Sequence, residues 1–388
     1  MRTEHRAIVL GLGGIGSAAT YWLARRFPGE VLGVEQFELG HARGSSEDHS
    51  RIIRLAYHTP AYVELAKHAY AAWDVVQAEG AEEVILRTGG LDMAPPGAAI
   101  GLDGHRTSMR AAGVAFEELD AGEIMRRWPQ WRLPGDVTGL FQPDAGIAMA
   151  SRANALHRRL AEENGALLLD KTAVTAIHER PDGVEVTAGG LTHHCEQLVV
   201  AAGPWSRRLV SYLGTDLPLE VSQEQVVYFT PGDAAAFAPE RFPIWIWMDV
   251  PAWYGFPIFG EPAVKAAWDR CEVIVEPETR TFDPDEKAVA MLRAFLADHL
   301  PHADAGIHLV KTCLYTLTPD RDFVVDHVPG SDRIWMAVGS GHAFKFASLI
   351  GRSLAELAFD GSAAVDLTPF SSTRAVLQDP DPQRHYVI

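Results

Sequence analysis

Three glycines and one glutamate near the start of the chain have the spacing needed to hold a phosphorylated ligand. Gly11, Gly13 and Gly16 form a Gly-x-Gly-x-x-Gly motif, and Glu35 follows nineteen positions after the last of them. The first glycine permits a tight turn, the second lets the backbone approach a pyrophosphate, and the third lets a helix pack closely on a strand. Because a carboxylate at this distance can accept hydrogen bonds from a ribose diol, the motif predicts a dinucleotide site.

The elements that must position these residues are also visible in the sequence. Residues 7–10 and 31–34 are short apolar runs typical of strands, and residues 17–27 have helical periodicity. Strand, glycine turn, helix and strand make a βαβ unit, in which the helix N-terminus directs unpaired N–H groups at the phosphates. FAD and NAD sites share this unit, so the rest of the chain has to distinguish them.

Later segments predict a discontinuous α/β fold. Residues 198–203 and 335–339 are typical of buried parallel strands, and the second is followed by a predicted helix from about Ala343. The aromatic-rich residues 223–259 favour strands of a mixed sheet. We predict a Rossmann-like dinucleotide-binding domain with an inserted α+β substrate-binding domain built on a mixed sheet. The first comprises residues 1–85, 143–218 and 312–388, and the second comprises residues 86–142 and 219–311.

Composition limits the possible partners and compartments. The chain has 388 residues and a formal net charge of -17, which argues against nucleic acid or an anionic membrane as the partner. Cys195, Cys271 and Cys313 are too widely spaced for a disulfide framework or a zinc site. Neither a signal peptide nor an apolar run of about 18 residues is visible. We predict a cytoplasmic protein, a monomer or small homo-oligomer, that binds a small molecule and no metal.

Four further stretches resemble one known family over nearly the whole chain. They are Gly44-Ser-Ser with Ser50-Arg-Ile-Ile-Arg54, Tyr254-Gly-Phe-Pro with Lys265, Lys311-Thr-Cys-Leu-Tyr315, and Gly339-Ser-Gly-His-Ala-Phe-Lys345-Phe. In their order and spacing they resemble the family of monomeric sarcosine oxidase and N-methyltryptophan oxidase, within the D-amino-acid oxidase superfamily. The resemblance implies that the dinucleotide is FAD and that the first domain is an FAD-binding domain.

The resemblance implies roles for one cysteine and one lysine. Family members hold FAD through a cysteine thioether, and Cys313 falls on that position; a thiolate is the nucleophile such a bond requires. The alternative for Cys313 is a small buried core residue, which is the interpretation given to Cys195 and Cys271. Lys265 matches a lysine that promotes reaction with oxygen, because a cation stabilises developing superoxide. The alternative interpretation of Lys265 is a solvated surface lysine.

The resemblance also implies a substrate pocket. Lys345 and Arg54 match residues that clamp the substrate carboxylate, and a planar guanidinium suits that contact. Arg51 matches an arginine near the flavin ring, on the same face as Arg54 if the segment is helical. Tyr254 and Tyr315 match tyrosines that line the pocket. The alternatives are an exposed basic turn for the arginines and core packing for the tyrosines.

The remaining predicted cofactor contacts surround these stretches. Backbone donors of the turn at residues 339–345 are expected to face the flavin pyrimidine, where negative charge accumulates on reduction. The predicted cofactor-binding residues are Gly11, Gly13, Gly14, Ile15, Gly16, Glu35, Gln36, Ser45, Arg51, Val174, Gly203, Trp205, Cys313, Gly339, Gly341, His342, Phe344 and Lys345.

Three positions depart from the family pattern. Ser46 or Glu47 stands where the family has one pocket histidine, Asp269 stands where it has another, and Ala343 replaces a glycine. Glu47 and Asp269 would suit a larger or more cationic amine than sarcosine, or both carboxylates point to solvent. The tryptophans expected to assist such an amine by cation–π contact are Trp245, Trp247, Trp253 and Trp268.

Together these features predict FAD-dependent oxidation of the C–N bond of a secondary amine or amino acid, of the N-methyl or cyclic imino acid type. The products would be an imine and hydrogen peroxide, with molecular oxygen as the electron acceptor. Two alternatives stay open. One is a flavin dehydrogenase that uses a quinone or protein acceptor, and the other is a biosynthetic tailoring enzyme that acts on a carrier-bound substrate.

Overall fold

The computed structural model describes residues 3–384. Its strands are β1 (Glu4–Leu10), β2 (Val31–Val34), β3 (Arg51–Ile53), β4 (Ile85–Arg87), β5 (Gly90–Ala94), β6 (Glu117–Asp120), β7 (Thr138–Gln142), β8 (Gly146–Ala148), β9 (Leu167–Leu169), β10 (Val174–Arg180), β11 (Gly183–Ala188), β12 (Leu191–Val200), β13 (Glu220–Thr230), β14 (Ile244–Trp247), β15 (Trp253–Phe256), β16 (Val264–Trp268), β17 (Gly306–Leu317), β18 (Val324–His327) and β19 (Ile334–Val338). Its α-helices are α1 (Gly14–Arg26), α2 (Pro60–Gly80), α3 (Asp103–Ala111), α4 (Ala121–Arg127), α5 (Ala150–Glu163), α6 (Ser206–Ser211), α7 (Glu286–His299), α8 (Ala347–Asp360) and α9 (Ala375–Gln378).

The first sheet is built around the parallel strands β1, β2, β9 and β12. Its order is β10-β11-β12-β1-β2-β9, and β19 lies parallel to the end of β12. Alternate residues of β1 enter different cores: Ala7 and Val9 join the core formed with the helices, while Ile8 and Leu10 join a second core. Because both faces are covered there, β1 and β12 each end in a continuous apolar run. The predicted parallel strands within residues 198–203 and 335–339 are confirmed.

The second sheet is mixed, as predicted from residues 223–259. Its order is β17-β13-β16-β15-β14-β5-β7-β6, in which β14 and β5 are parallel and the other neighbours are antiparallel. Its aromatic residues pack against α7, where Phe295 contacts the rings of Trp245, Trp247 and Trp253. Burial of these large side chains stabilises the sheet.

A third, small sheet corrects one expectation. Arg51 lies in β3, which pairs antiparallel with β8, so the segment leading to Arg54 is a strand and not a helix. The helix predicted from about Ala343 also begins later: a 3₁₀ turn occupies Phe344–Phe346, and α8 follows it. Both corrections concern the local path of the chain beside the site.

The division into two domains stays a prediction. The boundary drawn after residue 311 falls inside β17, which continues from Gly306 to Leu317. Residues 1–2 and 385–388, the outermost parts of the predicted FAD-binding domain, lie outside the described residues. Within residues 3–384, none of the helices has the length and apolar character needed to cross a membrane.

Candidate active site

The glycine motif forms the turn between β1 and α1. Gly11 has a φ of +90°, and a Cβ there would lie 2.6 Å from the carbonyl oxygen of Ala201. A Cβ at Gly16 would lie 1.7 Å from the carbonyl oxygen of Gly11. No larger residue fits either position. Gly13, the N-cap of α1, supplies no side-chain cap, so the positive end of the helix dipole faces the space beyond it.

This turn borders a cavity of about 190 Å³, the glycine-lined cavity. Predicted cofactor-binding residues from several separate segments line it: Gly11, Gly13, Gly14, Ile15, Glu35, Gln36, Ser45, Arg51, Val174, Gly203, Trp205, Gly339, Gly341 and Phe344. Gly16 does not line it and acts instead in the packing of the turn.

Glu35 presents an ionised carboxylate to the glycine-lined cavity. Its oxygens accept hydrogen bonds from the N–H groups of Leu12 at 2.9 Å and Phe37 at 3.1 Å, and His41 Nε2 lies 3.4 Å away. Burial acts to raise the pKa of Glu35, but His41 and the two backbone donors outweigh it, so the pKa is lowered. The carboxylate is therefore an acceptor for hydroxyl groups at neutral pH.

Polar groups that sequence reasoning missed complete this cavity. Ser46 Oγ accepts a hydrogen bond from the Gly14 N–H at 2.8 Å, and the Arg158 guanidinium also lines the cavity. Among residues 3–384, the buried Asn154 Oδ1 and Thr316 Oγ1 have no hydrogen-bond partner. Buried polar atoms usually have partners, so these atoms indicate a bound polar ligand. A helix N-terminus, a cation and an acidic ribose acceptor fit the pyrophosphate and ribose of FAD.

A second cavity of about 650 Å³, the charged cavity, adjoins the first. Both cavities are lined by His41, Gly44, Glu47, Arg51, Tyr315, Gly341 and Phe344. All seven predicted catalytic residues line the charged cavity: Arg51, Arg54, Tyr254, Lys265, Asp269, Tyr315 and Lys345. Cys313, Gly341, His342 and Phe344 line it as well. The fold thus brings together segments that are distant in sequence.

Lys265 is buried in one wall of the charged cavity and paired with a carboxylate. Its Nζ lies 3.0 Å from Asp48 Oδ2 and donates to the Ser50 carbonyl at 2.8 Å. Burial lowers the pKa of Lys265 to about 8, although Asp48 acts to raise it. The alternative of a solvated surface lysine is therefore wrong, since this side chain is 3% exposed.

Asp48 is the residue of the charged cavity that sequence reasoning missed most clearly. Its Oδ1 accepts from the Tyr228 hydroxyl at 2.6 Å and from Lys311 Nζ at 3.2 Å. Burial opposes its ionisation, but Lys265 and Arg51 hold the pKa of the Asp48 carboxyl well below its usual range. An acidic residue in a loop rich in serine and glycine gives no sequence signal for such contacts.

Lys345 carries a half-buried cation that has no carboxylate partner among the described residues. Its Nζ donates to the His342 carbonyl at 3.2 Å, and no carboxylate within residues 3–384 forms an ion pair with it. Burial and the nearby Arg54 lower the pKa of Lys345 to about 7. A cation left in this state is a site for an anion.

Arg54 and Arg51 are held by the protein in different ways. Arg54 Nη1 lies 3.0 Å from Asp92 Oδ2, while its buried Nε has no partner among the described residues. Arg51 donates to the carbonyls of Ser45, Glu47 and Ser50 at 2.7 to 2.8 Å. Both lie at the cavity wall, so the alternative of an exposed basic turn is wrong.

Cys313 presents its side chain to the charged cavity. Burial raises the pKa of its thiol to about 11, and Arg51 opposes that shift. Cys195, by contrast, is buried in β12, and Cys271 Sγ accepts from Arg321 Nη1 at 2.7 Å. Neither Cys195 nor Cys271 lines the charged cavity.

The two acidic departures from the family pattern belong to the lining of the charged cavity. Glu47 and Asp269 both line it, and Asp269 Oδ1 lies 3.5 Å from Arg321 Nη2. The expected aromatic partners of a cationic substrate are mostly elsewhere. Of the four tryptophans, only Trp253 lines the cavity within the described residues, and all four pack in or beside the core of the second sheet.

Comparison with known proteins identifies the family. A family model described as FAD dependent oxidoreductase matches residues 6–357. The chain is 31% identical over 386 residues to monomeric sarcosine oxidase of Bacillus sp. (strain B-0618), covering 98% of each chain. It is 31% identical over 377 residues to N-methyl-L-tryptophan oxidase of Salmonella arizonae, covering 96% of this chain and 99% of the relative.

A solved structure supports the same conclusion. The open form of NikD, an unusual amino acid oxidase essential for nikkomycin biosynthesis, matches with a TM-score of 0.85 and 27% identity over 97% of this chain and all of that one. L-Proline dehydrogenase from P. horikoshii matches with the same TM-score at 19% identity, which shows the fold alone. The chain belongs to the FAD dependent oxidoreductase family, beside monomeric sarcosine oxidase and N-methyltryptophan oxidase, and it is an FAD-dependent enzyme that oxidises C–N bonds.

Proposed function

We propose that this enzyme oxidises a secondary amine or amino acid that carries a carboxylate, of the N-methyl or cyclic imino acid type, and that oxygen is its electron acceptor. One observation carries the proposal: Cys313, Lys265 and Lys345 come from three separate elements and line one cavity that adjoins the glycine-lined cavity. Overall, one C–N single bond becomes an imine, and oxygen takes the two electrons and two protons to form hydrogen peroxide.

The glycine-lined cavity would hold the adenosine and pyrophosphate parts of FAD. The α1 N-terminus and Arg158 would face the phosphates, and Glu35 would accept from the ribose hydroxyls. FAD, when bound, accepts two electrons and a hydrogen from the carbon next to the substrate nitrogen. The remaining roles belong to side chains of the charged cavity.

Lys345 and Arg54 would bind the substrate carboxylate. Within residues 3–384, Lys345 has no carboxylate in ion-pair contact and the buried Arg54 Nε has no hydrogen-bond partner, while Asp92 holds the other end of the Arg54 guanidinium. Burial strengthens these contacts, because the cavity wall screens charge less than water does. Tyr254 and Tyr315 line the same cavity and would shape the space for the rest of the substrate. Water then hydrolyses the released imine.

Lys265 would supply the positive charge that favours electron transfer to oxygen. A Lys265→Met variant should be reduced by the amine at a similar rate without oxygen but should react slowly with oxygen afterwards. If its reoxidation were as fast as that of the unaltered enzyme, the oxygen role would be wrong. Faster turnover with a dye or quinone than with oxygen would favour the dehydrogenase alternative.

Cys313 would hold the flavin through a thioether, in which an S–C bond replaces the thiol S–H bond and one flavin C–H bond, and oxygen would take the two electrons and two protons released. The proposal is supported by its place in the charged cavity, with Arg51 favouring the thiolate. Acid precipitation should leave yellow flavin in the protein pellet. Cys313→Ser should release the flavin to the supernatant, and Cys195→Ala should retain it in the pellet. Flavin release from the unaltered protein would contradict the covalent bond.

A substrate panel tests the reaction class directly. Sarcosine, N-methyl-L-tryptophan, a cyclic imino acid and the corresponding decarboxylated amines should be compared by peroxide formation. We expect turnover only with the carboxylate-bearing compounds, because their carboxylate pairs with Lys345. Equal turnover of the decarboxylated amines would contradict the proposed clamp.

A further inference from the structure

The ammonium of Lys265 is held by Asp48, a residue to which the proposed function assigns no role. Nζ donates to Asp48 Oδ2 at 3.0 Å and to the Ser50 carbonyl at 2.8 Å. The two side chains are 3% and 8% exposed. Because an ammonium has three donors, two are fixed by the protein and one remains for the cavity that Lys265 lines.

The backbone at Asp48 is unusual for a residue with a side chain. Its φ of 124° lies in the region that favours glycine. Such a conformation persists when surrounding contacts fix it, and here Tyr228 on β13 and Lys311 on β17 hold Oδ1 at 2.6 and 3.2 Å. Together with Lys265 on β16, three neighbouring strands therefore fix the position of one carboxylate.

The other groups facing Lys265 do not replace this charge. Arg51 opposes its protonation, the Cys313 thiol favours it only as a thiolate, and the ring faces of Phe256 and Tyr228 lie 4.3 and 5.8 Å from Nζ. Among residues 3–384, Asp48 supplies the one carboxylate in an ion pair with Lys265. Glu261 lies further out, 3.8 Å from Lys311 Nζ.

We propose that Asp48 is a positioning residue for the oxygen step: it keeps the Lys265 amine protonated and directed at the cavity, and so sets the pH range in which the enzyme reacts with oxygen. The inference rests on the proposed function, because that function gives Lys265 its role. Asp48 acts through Lys265, so it is a positioning residue and not a catalytic one.

A direct titration of Lys265 tests this inference without turnover. The chain has six lysines, so Cε resonances of ¹³C-labelled lysine in the FAD-bound protein can be followed by NMR, with Lys265→Met identifying the signal. In Asp48→Asn, the Lys265 midpoint should fall by about one to three pH units, because an ion pair shifts a pKa by that amount. An unchanged midpoint would overturn the proposal.

Asp322 offers a matched control for this titration. Its Oδ1 accepts from the Tyr62 hydroxyl at 2.6 Å, as Asp48 Oδ1 accepts from Tyr228, but it does not line the charged cavity. Asp322→Asn should leave the Lys265 midpoint in place. Asp48→Gly provides the variant least prone to misfold, since glycine adopts this φ freely, and it should lower the midpoint as Asp48→Asn does.

Reoxidation kinetics connect the titration to the reaction. Enzyme reduced with dithionite is mixed with oxygenated buffer across pH, and the rate should fall as Lys265 loses its proton near pH 8. In Asp48→Asn the decrease in rate should occur at lower pH, displaced by the same interval as the NMR midpoint. The rate should then be about tenfold lower at a pH where Lys265 is deprotonated only in the variant.

An unshifted pH profile in Asp48→Asn, together with slow reoxidation of Lys265→Met, would overturn the role of Asp48 alone. Equal rates in the unaltered enzyme and Lys265→Met would overturn the role of Lys265 and this inference together. Reduction by an amine without oxygen tests the proposed C–N oxidation separately.

Discussion

The two walls of the charged cavity differ in how the protein balances the charge of a lysine. On the wall from the second sheet, Lys265 has a carboxylate 3.0 Å away, and its pKa is lowered to about 8. On the wall from the turn before α8, the acceptor for Lys345 among the described residues is a carbonyl, that of His342, and the pKa of Lys345 is lowered to about 7. A cation balanced by the chain is a fixed part of a site, whereas an unbalanced one is available to the anion of a ligand.

The groups around Lys345 support this distinction. Arg54 and Arg321 oppose its charge, while Asp269 and Asp92 favour it from beyond ion-pair distance. Both aspartates are paired with those same arginines, at 3.5 and 3.0 Å. The charges of each arginine and its aspartate largely offset each other, so Lys345 contributes most of the uncompensated positive charge on its wall.

Loss of Lys345 should give the largest effect on catalysis. For a carboxylate-bearing amine, Lys345→Met should lower kcat/KM on the order of 10²- to 10³-fold, because removing one partner of a buried charge pair costs about 2–5 kcal/mol. The rate of flavin reduction measured without oxygen reports this loss. With Lys265→Met that rate should change little.

A decarboxylated substrate provides the control for this comparison. It cannot pair with Lys345, so the ratio between the unaltered enzyme and Lys345→Met should approach one. If both lysine variants impaired reduction to the same extent, the proposed difference between the walls would be wrong.

The two lysine variants should change stability to different extents at pH 6. The pKa of Lys345 is lower in the folded than in the unfolded protein, so its charge opposes folding below about pH 7, and Lys345→Met should stabilise by about 4 to 5 kcal/mol. That gain should vanish as pH rises from about 7 towards 10, where the unfolded lysine also loses its proton. The pKa of Lys265 is lowered less, to about 8, and Lys265→Met also leaves the buried Asp48 carboxylate without its nearest partner, so this variant should stabilise less than Lys345→Met.

Urea unfolding of the FAD-bound proteins at pH 6 and pH 10 measures these differences. The double variant Lys265→Met with Asp48→Gly should be more stable than Lys265→Met alone, since the carboxylate left without its partner is removed as well. A stabilisation at pH 6 by Lys265→Met that equalled or exceeded that by Lys345→Met would contradict the comparison.

Replacing Lys345 by a permanent cation should change the pH dependence of catalysis. Above about pH 7 the free enzyme loses the Lys345 proton, whereas arginine stays charged. The ratio of kcat/KM for Lys345→Arg to that for the unaltered enzyme should therefore rise about tenfold per pH unit above pH 7. Taking the ratio cancels the ionisation of the substrate amine. A ratio that does not change between pH 6 and 9 would mean that Lys345 does not lose its proton in this pH range.

The nucleotide-binding turn was predictable because its determinants are local. Gly11, Gly13 and Gly16 lie in one contiguous βαβ segment, and a Cβ at Gly11 or Gly16 would collide with backbone atoms of that turn or its neighbouring strand. Such a requirement appears directly as residue type and spacing. The parallel strands β12 and β19 were predictable for a similar reason, since burial on both faces leaves a continuous apolar run.

The charged cavity was less predictable because its determinants are distant in sequence. Asp48 is held by residues 180 to 263 positions later in the chain, and nothing near it in sequence indicates those contacts. The segment from Arg51 to Arg54 suits a helix as well as a strand, and its pairing with β8 decides between them. The sequence around the tryptophans of the second sheet is compatible with a pocket as well as with a core. Packing against α7 places Trp245 and Trp247 in the core.

The smallest expected effect separates the charge of Asp48 from its backbone. Asp48→Gly and Asp48→Asn both remove the carboxylate, but only glycine relieves the φ of 124°, so Asp48→Gly should be more stable than Asp48→Asn by about 1 kcal/mol. Asp322, which is not among the positive-φ residues, should show the reverse order, because glycine there only adds freedom to the unfolded chain. Equal stabilities of the two Asp48 variants would mean that the loop relaxes once the carboxylate is gone. The ion pair with Lys265 would then be what holds the backbone at Asp48 in its unusual conformation. The position of this carboxylate would depend on the charge pair and not on the conformation of the loop.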